Sequence, residues 1–198
     1  MGGTALIVAT AGQIRMTLRR VSVLAALMCV LAAVASSPAT AASRCAHASA
    51  SPAHISAAAA ARAVRCLVNL QRRRFGLPAV RVDPRLRRAA GAFAQDMVTR
   101  DYFAHVSPDG TTMDQRVRRA GYLDDARSWS LGEAIAWGED GAGAPRSIVR
   151  GLLNSPPHRA ILLDGGFRDV GIGVARGAPA PDGHTALTVA LDFGRVSR

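Results

Sequence analysis

Two histidines, one glutamate and two serines have the richest chemical potential in this sequence, and they fall in three short segments. In YFAHVSPDG (102–110), aromatics flank His105, and the following Ser107-Pro108-Asp109-Gly110 has the chemistry of a turn. In GEAIAWG (132–138), Glu133 stands amid apolar residues, where an unpaired carboxylate would be costly to bury. In NSPPHRAILL (154–163), prolines present His158 at the start of an apolar helical turn, with Ser155 just before them. Ser107 or Ser155, a histidine and Glu133 have the makings of a hydrolase triad, but only geometry identifies one. The three segments lie 28 and 25 positions apart, measured from His105 to Glu133 and from Glu133 to His158. They converge only through the tertiary fold, so by spacing alone a structural polar cluster is the better reading. No H-E-x-x-H or G-x-S-x-G is present, and Gly171-Ile172-Gly173 lacks the third glycine of a phosphate loop. Those glycines read as close packing within a strand.

The elements that must position these residues are legible from periodicity. A helix begins near Ala57, with Ala60, Val64, Leu67, Val68, Gln71 and Phe75 along one face, and Gly76 ends it. A short extended AVRV follows. Asp83 then caps a second helix with Pro84 at its first position. Leu86, Ala89, Ala90, Phe93 and Met97 form the apolar stripe of that helix. A loop over 103–110 leads to a short helix over 112–120, broken by Gly121. LGEAIAWG (131–138) fits either a strand or a short helix. Residues 144–153 look helical. VGIGVARG (170–177) and TALTVALDFG (185–194) are β-like runs joined by a Pro/Gly turn that holds His184. Helices first and a hairpin last predict an α+β domain with helices packed on an antiparallel sheet.

The chain has 198 residues, 49% of them hydrophobic and 20% charged, which suits one ordinary domain and excludes a disordered tail or a disulfide-dense miniprotein. All 25 basic residues are arginine, giving a net charge of +11. The arginines are scattered without interleaved aromatics, so nucleic acid is not the expected partner. Arg19 and Arg20, an apolar run of 15 residues from Val21 to Ala35, and Ala39-Thr40-Ala41 predict a signal peptide over 1–41, with Met16 as an alternative start. The run is too short for a comfortable bilayer span, so no stable membrane anchor is expected. Cleavage would remove three arginines and no acids, leaving 22 arginines against 14 acids, a net +8. The two cysteines that survive, Cys45 and Cys66, are expected to pair in an oxidising compartment. Residues 42–56 read as a linker in which His47 and His54 are solvated, and 57–198 as the domain.

Taken together, the segments CLVNLQRRRFGLPAVRVDPRLRRAA, DYFAHVSPDG, RVRRAGY, LGEAIAWG, NSPPHRAILLDGGFRDVGIGVA and LDFG resemble, in order and spacing, the CAP superfamily. These are the cysteine-rich secretory, antigen 5 and pathogenesis-related proteins, and the bacterial SCP-like extracellular branch is the most similar. The resemblance runs from about Cys66 through Gly194. It implies a three-layer α-β-α sandwich with a central antiparallel sheet and a large surface cleft. It also implies that His105, Glu133 and His158 occupy the cleft positions of the family's two histidines and first glutamate, where several members bind a divalent cation. Two neutral imidazoles and a carboxylate suit a first-row ion such as zinc and would leave a coordination position open. The family's second glutamate matches Ser155 here, and hydrogen-bonding positions are replaced by Ala134, Ile161, Val189 and Leu191. Asp192 offers a further acidic ligand, and Trp129 and Trp137 are expected in the cleft wall or core. The resulting expectation is a secreted binding module for a lipid, a cell-wall polymer or a protein, with a metal- or histidine-dependent hydrolase as the alternative.

Overall fold

The computed structural model describes residues 45–180 and 185–198. The expected signal peptide over 1–41 and the turn residue His184 lie outside the described residues. Helix α1 (Ala57–Arg74) starts at Ser56, whose hydroxyl accepts from Ala59 N, and ends at Gly76 with φ +67°. Strand β1 (Arg81–Val82) leads into α2 (Pro84–Thr99). Asp83 caps α2 as expected, its carboxylate accepting from the N–H groups of Arg85 and Leu86. Thr112 and Gln115 form a capping box for α3 (Met113–Arg119), which stops before Gly121 at φ +80°. Then follow β2 (Ser128–Glu139), α4 (Pro145–Asn154), α5 (Pro156–Leu162), β3 (Asp169–Arg176) and β4 (Ala186–Ser197). LGEAIAWG is therefore a strand.

The sheet order is β1-β3-β4-β2. β4 runs antiparallel to both neighbours, while the two residues of β1 add a parallel edge to β3. The period-2 alternation of β4 builds the layers. Leu187, Val189, Leu191 and Phe193 pack with α1, α4 and α5 on one face, whereas Ala190 meets Phe93 and Met97 of α2 on the other. The product is an α-β-α sandwich, with α2 seated directly on β3. Glycine makes that seating possible, because a Cβ at Gly171 or Gly173 would fall 2.1 Å from the backbone of Leu86 or Ala90.

Two expectations change in the structure. From Cys45 onward the predicted linker is packed against the core: Cys45, Ala48, Pro52 and Ile55 are buried, and Arg146 N donates to Ala48 O. The Cys45–Cys66 disulfide fastens this aperiodic segment to α1. It closes a separation of 21 residues, for which loop entropy predicts about 3 kcal/mol of stabilisation. Adding reductant should therefore lower the melting temperature by several degrees, and an unchanged melting curve would show that packing alone holds the segment. The second change concerns α1, whose face does not continue to Phe75, a residue 52% exposed. Arg72 is buried in its place, donating hydrogen bonds to the carbonyls of Pro78, Leu162, Asp164 and Phe167.

Candidate functional site

The α2–α3 loop, the edge strand β2 and the start of α5 bring His105, Glu133 and His158 to one place. Gly132 allows this, because a Cβ there would lie 2.9 Å from the Phe167 ring and 3.0 Å from Ile161 of α5. The helix that carries His158 can thus press against β2. His105 Nδ1 lies 2.8 Å from Glu133 Oε1. An ionised carboxylate only accepts, so Nδ1 carries the proton and the lone pair of His105 is left on Nε2. His158 Nδ1 lies 3.0 Å from the Ser155 hydroxyl, and Ser155 is also the N-terminal cap of α5. The two imidazole centroids are 6.3 Å apart. Burial, and then the neighbouring His105, hold His158 below the usual histidine range and favour its neutral form.

Glu133 is almost fully buried, and both of its oxygens are engaged. The second oxygen accepts from Arg116 Nη2 at 2.6 Å. Arg116 also donates to Thr111 O and His105 O, and its guanidinium lies 3.5 Å from the centroid of the Phe93 ring. Both oxygens of Glu133, expected as a third metal ligand, are thus taken by protein donors, and its bond to His105 sets that ring's tautomer. Among the described residues no group of three His, Cys, Asp or Glu side chains is arranged to hold a metal ion. The donors that remain are Nε2 of His105 and one ring nitrogen of His158, chosen by which way the Ser155 hydroxyl points. Two imidazoles on one zinc at Zn–N of about 2.0–2.1 Å would have centroids roughly 5–6 Å apart, a little closer than this pair.

Asp192 lies directly opposite Glu133 in the β2–β4 register and is fully buried. Neither of its oxygens has a well-directed hydrogen-bond partner among the described residues. Burial, followed by the Glu133 charge, pushes its carboxyl well above the usual range against the opposing pull of Arg116. Burial and the facing Glu133 thus both favour the protonated form of Asp192. The apolar neighbours of Glu133 in the sequence indicate that it needs a partner, but not that Arg116 supplies it.

The remaining candidates separate. Ser155 and His158 line a cleft of about 740 Å³ whose walls include Phe103, Ile135 and Trp137. Trp137 and Phe103 are exposed there, whereas Trp129 lies at a different surface beside Arg195. Ser107 is buried and turns away, 2.9 Å from the Tyr102 hydroxyl, in a smaller pocket with Asp96 and Arg116. Any hydrolase triad is therefore divided, with serine and histidine in the Ser155–His158 pair and the acid in the His105–Glu133 pair.

The sequence pattern of the family described as "CAP: Cysteine-rich secretory protein family" matches residues 66–190. The Bacillus subtilis protein YkwD is 31% identical over 107 residues, covering 54% of this chain and 39% of its own length. The Bacillus subtilis membrane protein YlbC is 33% identical over 111 residues, covering 56% of this chain and 30% of its own. The chain thus spans well under half the length of these curated relatives. An extracellular protein from Bacillus anthracis containing a SCP domain superposes with a TM-score of 0.51 at 27% identity, over 67% of this chain and 39% of that one. An outer surface protein from Borrelia burgdorferi superposes with a TM-score of 0.60 at 20% identity, over 72% of this chain and 97% of that one, a likeness of fold.

Proposed function

Because this chain belongs to the CAP family, the cysteine-rich secretory protein family, we propose that it works outside the cell as a binding module. Its cleft would take an extracellular ligand, a lipid, a wall polymer or a protein, and its two histidines would hold a divalent cation weakly. The observation that carries this reading is the pairing of Glu133, whose oxygens are both taken by His105 and Arg116 beside an aromatic-walled cleft. A carboxylate so engaged orients an imidazole but offers little as a general base. Two imidazoles without a third ligand suit weak binding rather than a catalytic metal. The export-like sequence over 1–41 supports an extracellular site of action, as does the likeness to the extracellular Bacillus anthracis protein. No helix among the described residues is long and apolar enough to cross a membrane.

Calorimetric titration with zinc tests the site. Weak binding is expected, lost in His105→Ala and in His158→Ala, and strengthened in Ser155→Glu if the new carboxylate reaches the ion. Equal binding by the double histidine variant would sink the metal site. The Ser155–His158 contact keeps one alternative concrete, a hydrolase in which Ser155 is the nucleophile. Turnover of a p-nitrophenyl ester that vanishes in both Ser155→Ala and His158→Ala would replace the binding reading with that one.

A further inference from the structure

On one side, strand β3 is paired over only two of its eight residues. β1 covers Asp169 and Val170, and beyond them no strand lies on that side among the described residues. The β3–β4 ladder determines which backbone groups are left over. Gly177 donates to Ala186 O, immediately after the Arg176↔Leu187 pair. Alternate residues of an antiparallel strand face its partner, so 171, 173 and 175 bond toward β4. The N–H and C=O groups of Ile172 and Val174 therefore face the open side. Two residues earlier on that side, Val170 O accepts from Asp83 N at 3.1 Å. This side of β3 already receives extended chain where β1 reaches it.

A groove of about 520 Å³ runs along this open edge between α1 and α2, with Ile172 and Val174 in its lining. Its helical walls are low. α1 contributes Ala57 and Ala61, and α2 contributes Gly91, where an added Cβ would meet nothing within 4 Å. The cations lining the groove are Arg62, Arg65 and Arg87, and no acid lines it. Among the described residues none of these three has an ion pair or a side-chain hydrogen bond. An unpaired edge invites strand addition, and positive charge selects what adds.

We propose that this edge binds an extended acidic peptide of a protein partner, which adds as a strand beside β3. Main-chain hydrogen bonds to Ile172 and Val174 supply the docking. Alternate side chains then divide the work, carboxylates meeting the three arginines and small apolar groups covering the floor. The site shares no lining residue with the cleft at Ser155 and His158 and does not depend on what that cleft binds.

The test uses the full chain and a capped synthetic peptide of alternating glutamate and valine. Controls are the same peptide with N-methylated valines, which cannot donate to a strand edge, and vesicles of phosphatidylglycerol. The peptide should slow hydrogen exchange at the Ile172 and Val174 amides at least tenfold, and N-methylation should weaken binding at least tenfold. Arg65→Glu with Arg87→Glu should weaken binding at least tenfold. Gly91→Leu, which fills the groove where the helix has free space, should block binding without lowering the melting temperature. If the charge-reversed protein fails to fold, Gly91→Leu and the exchange readout still decide. The proposal is overturned by an absence of peptide binding, by binding that leaves both amides unprotected, or by equal affinity for the N-methylated peptide. Protection by the vesicles alone overturns it too, in favour of a lipid site.

Discussion

Replacing Arg116 with methionine should cost the domain about 3–5 kcal/mol, the usual loss when one partner of a buried ion pair is removed. For a domain of this size that corresponds to a fall of roughly 6–20 °C in melting temperature. Methionine keeps an apolar side chain over the Phe93 ring, so the loss reports charge and hydrogen bonding more than packing. Glu133 would keep His105 as its hydrogen-bonded partner, with the buried Asp192 behind it. The carbonyls of Thr111 and His105 would lose their donor at the same time, loosening the loop that holds the first imidazole. The sign of the pH dependence follows from Asp192. Its folded value is raised, so its favourable contribution is fully present below the unfolded value of about 3.9 and is lost as pH rises. Arg116 restrains that rise, and without it the loss with rising pH should deepen. The variant should therefore show a smaller deficit near pH 4.5 than near pH 7.5. A thermodynamic cycle with Glu133→Gln isolates the pair, and the double variant should lose less than the sum of the singles. Additive losses, or a deficit below about 1 kcal/mol, would show that the contact contributes little.

Much of the scaffold is legible in the sequence because its signals are local. Asp83-Pro84 caps a helix whatever lies around it, and Gly76 and Gly121 take the positive φ that ends a helix. The β2 segment is ambiguous for a physical reason. An edge strand that meets the sheet core on one side and a cleft on the other has no clean period. Residues 45–56 mislead differently, since lack of periodicity reports irregular backbone and says nothing of burial. A disulfide and Ile55 hold them down all the same. The candidate residues are legible, but their division of labour is not. Only the β2–β4 register places Asp192 opposite Glu133. Only the docking of α3 selects Arg116 rather than Arg118 or Arg119. Arginine is read as solvent-exposed by default, and that rule hides both structural arginines, Arg72 and Arg116.

Replacing Arg72 with leucine should be nearly as damaging, through hydrogen bonds and not an ion pair. Its guanidinium is buried and spans four carbonyls. Nε donates to Pro78 O at 2.9 Å, Nη1 to Leu162 O and Asp164 O, and Nη2 to Phe167 O at 3.3 Å. Burial lowers its pKa, the nearby Asp164 opposes that shift, and the group remains charged. Each buried acceptor left without a donor costs about 1–3 kcal/mol, so even after relaxation the loss should reach at least about 3 kcal/mol. Lysine offers three donors from a single point and cannot reproduce a planar fork, so Arg72→Lys should recover no more than part of the loss. The consequence reaches the site because Leu162 closes α5, the helix that begins at Ser155 and carries His158. Arg72 satisfies the far end of that helix, where carbonyls otherwise lack partners. Urea unfolding should show a lower midpoint at unchanged slope. Amide exchange in the last turn of α5 should quicken before that of β4, and zinc binding by the still-folded variant should weaken. A leucine variant within about 1 kcal/mol of the parent would mean that water replaces the guanidinium at all four carbonyls, and α5 would then owe its position to Ile161 and Leu162 alone.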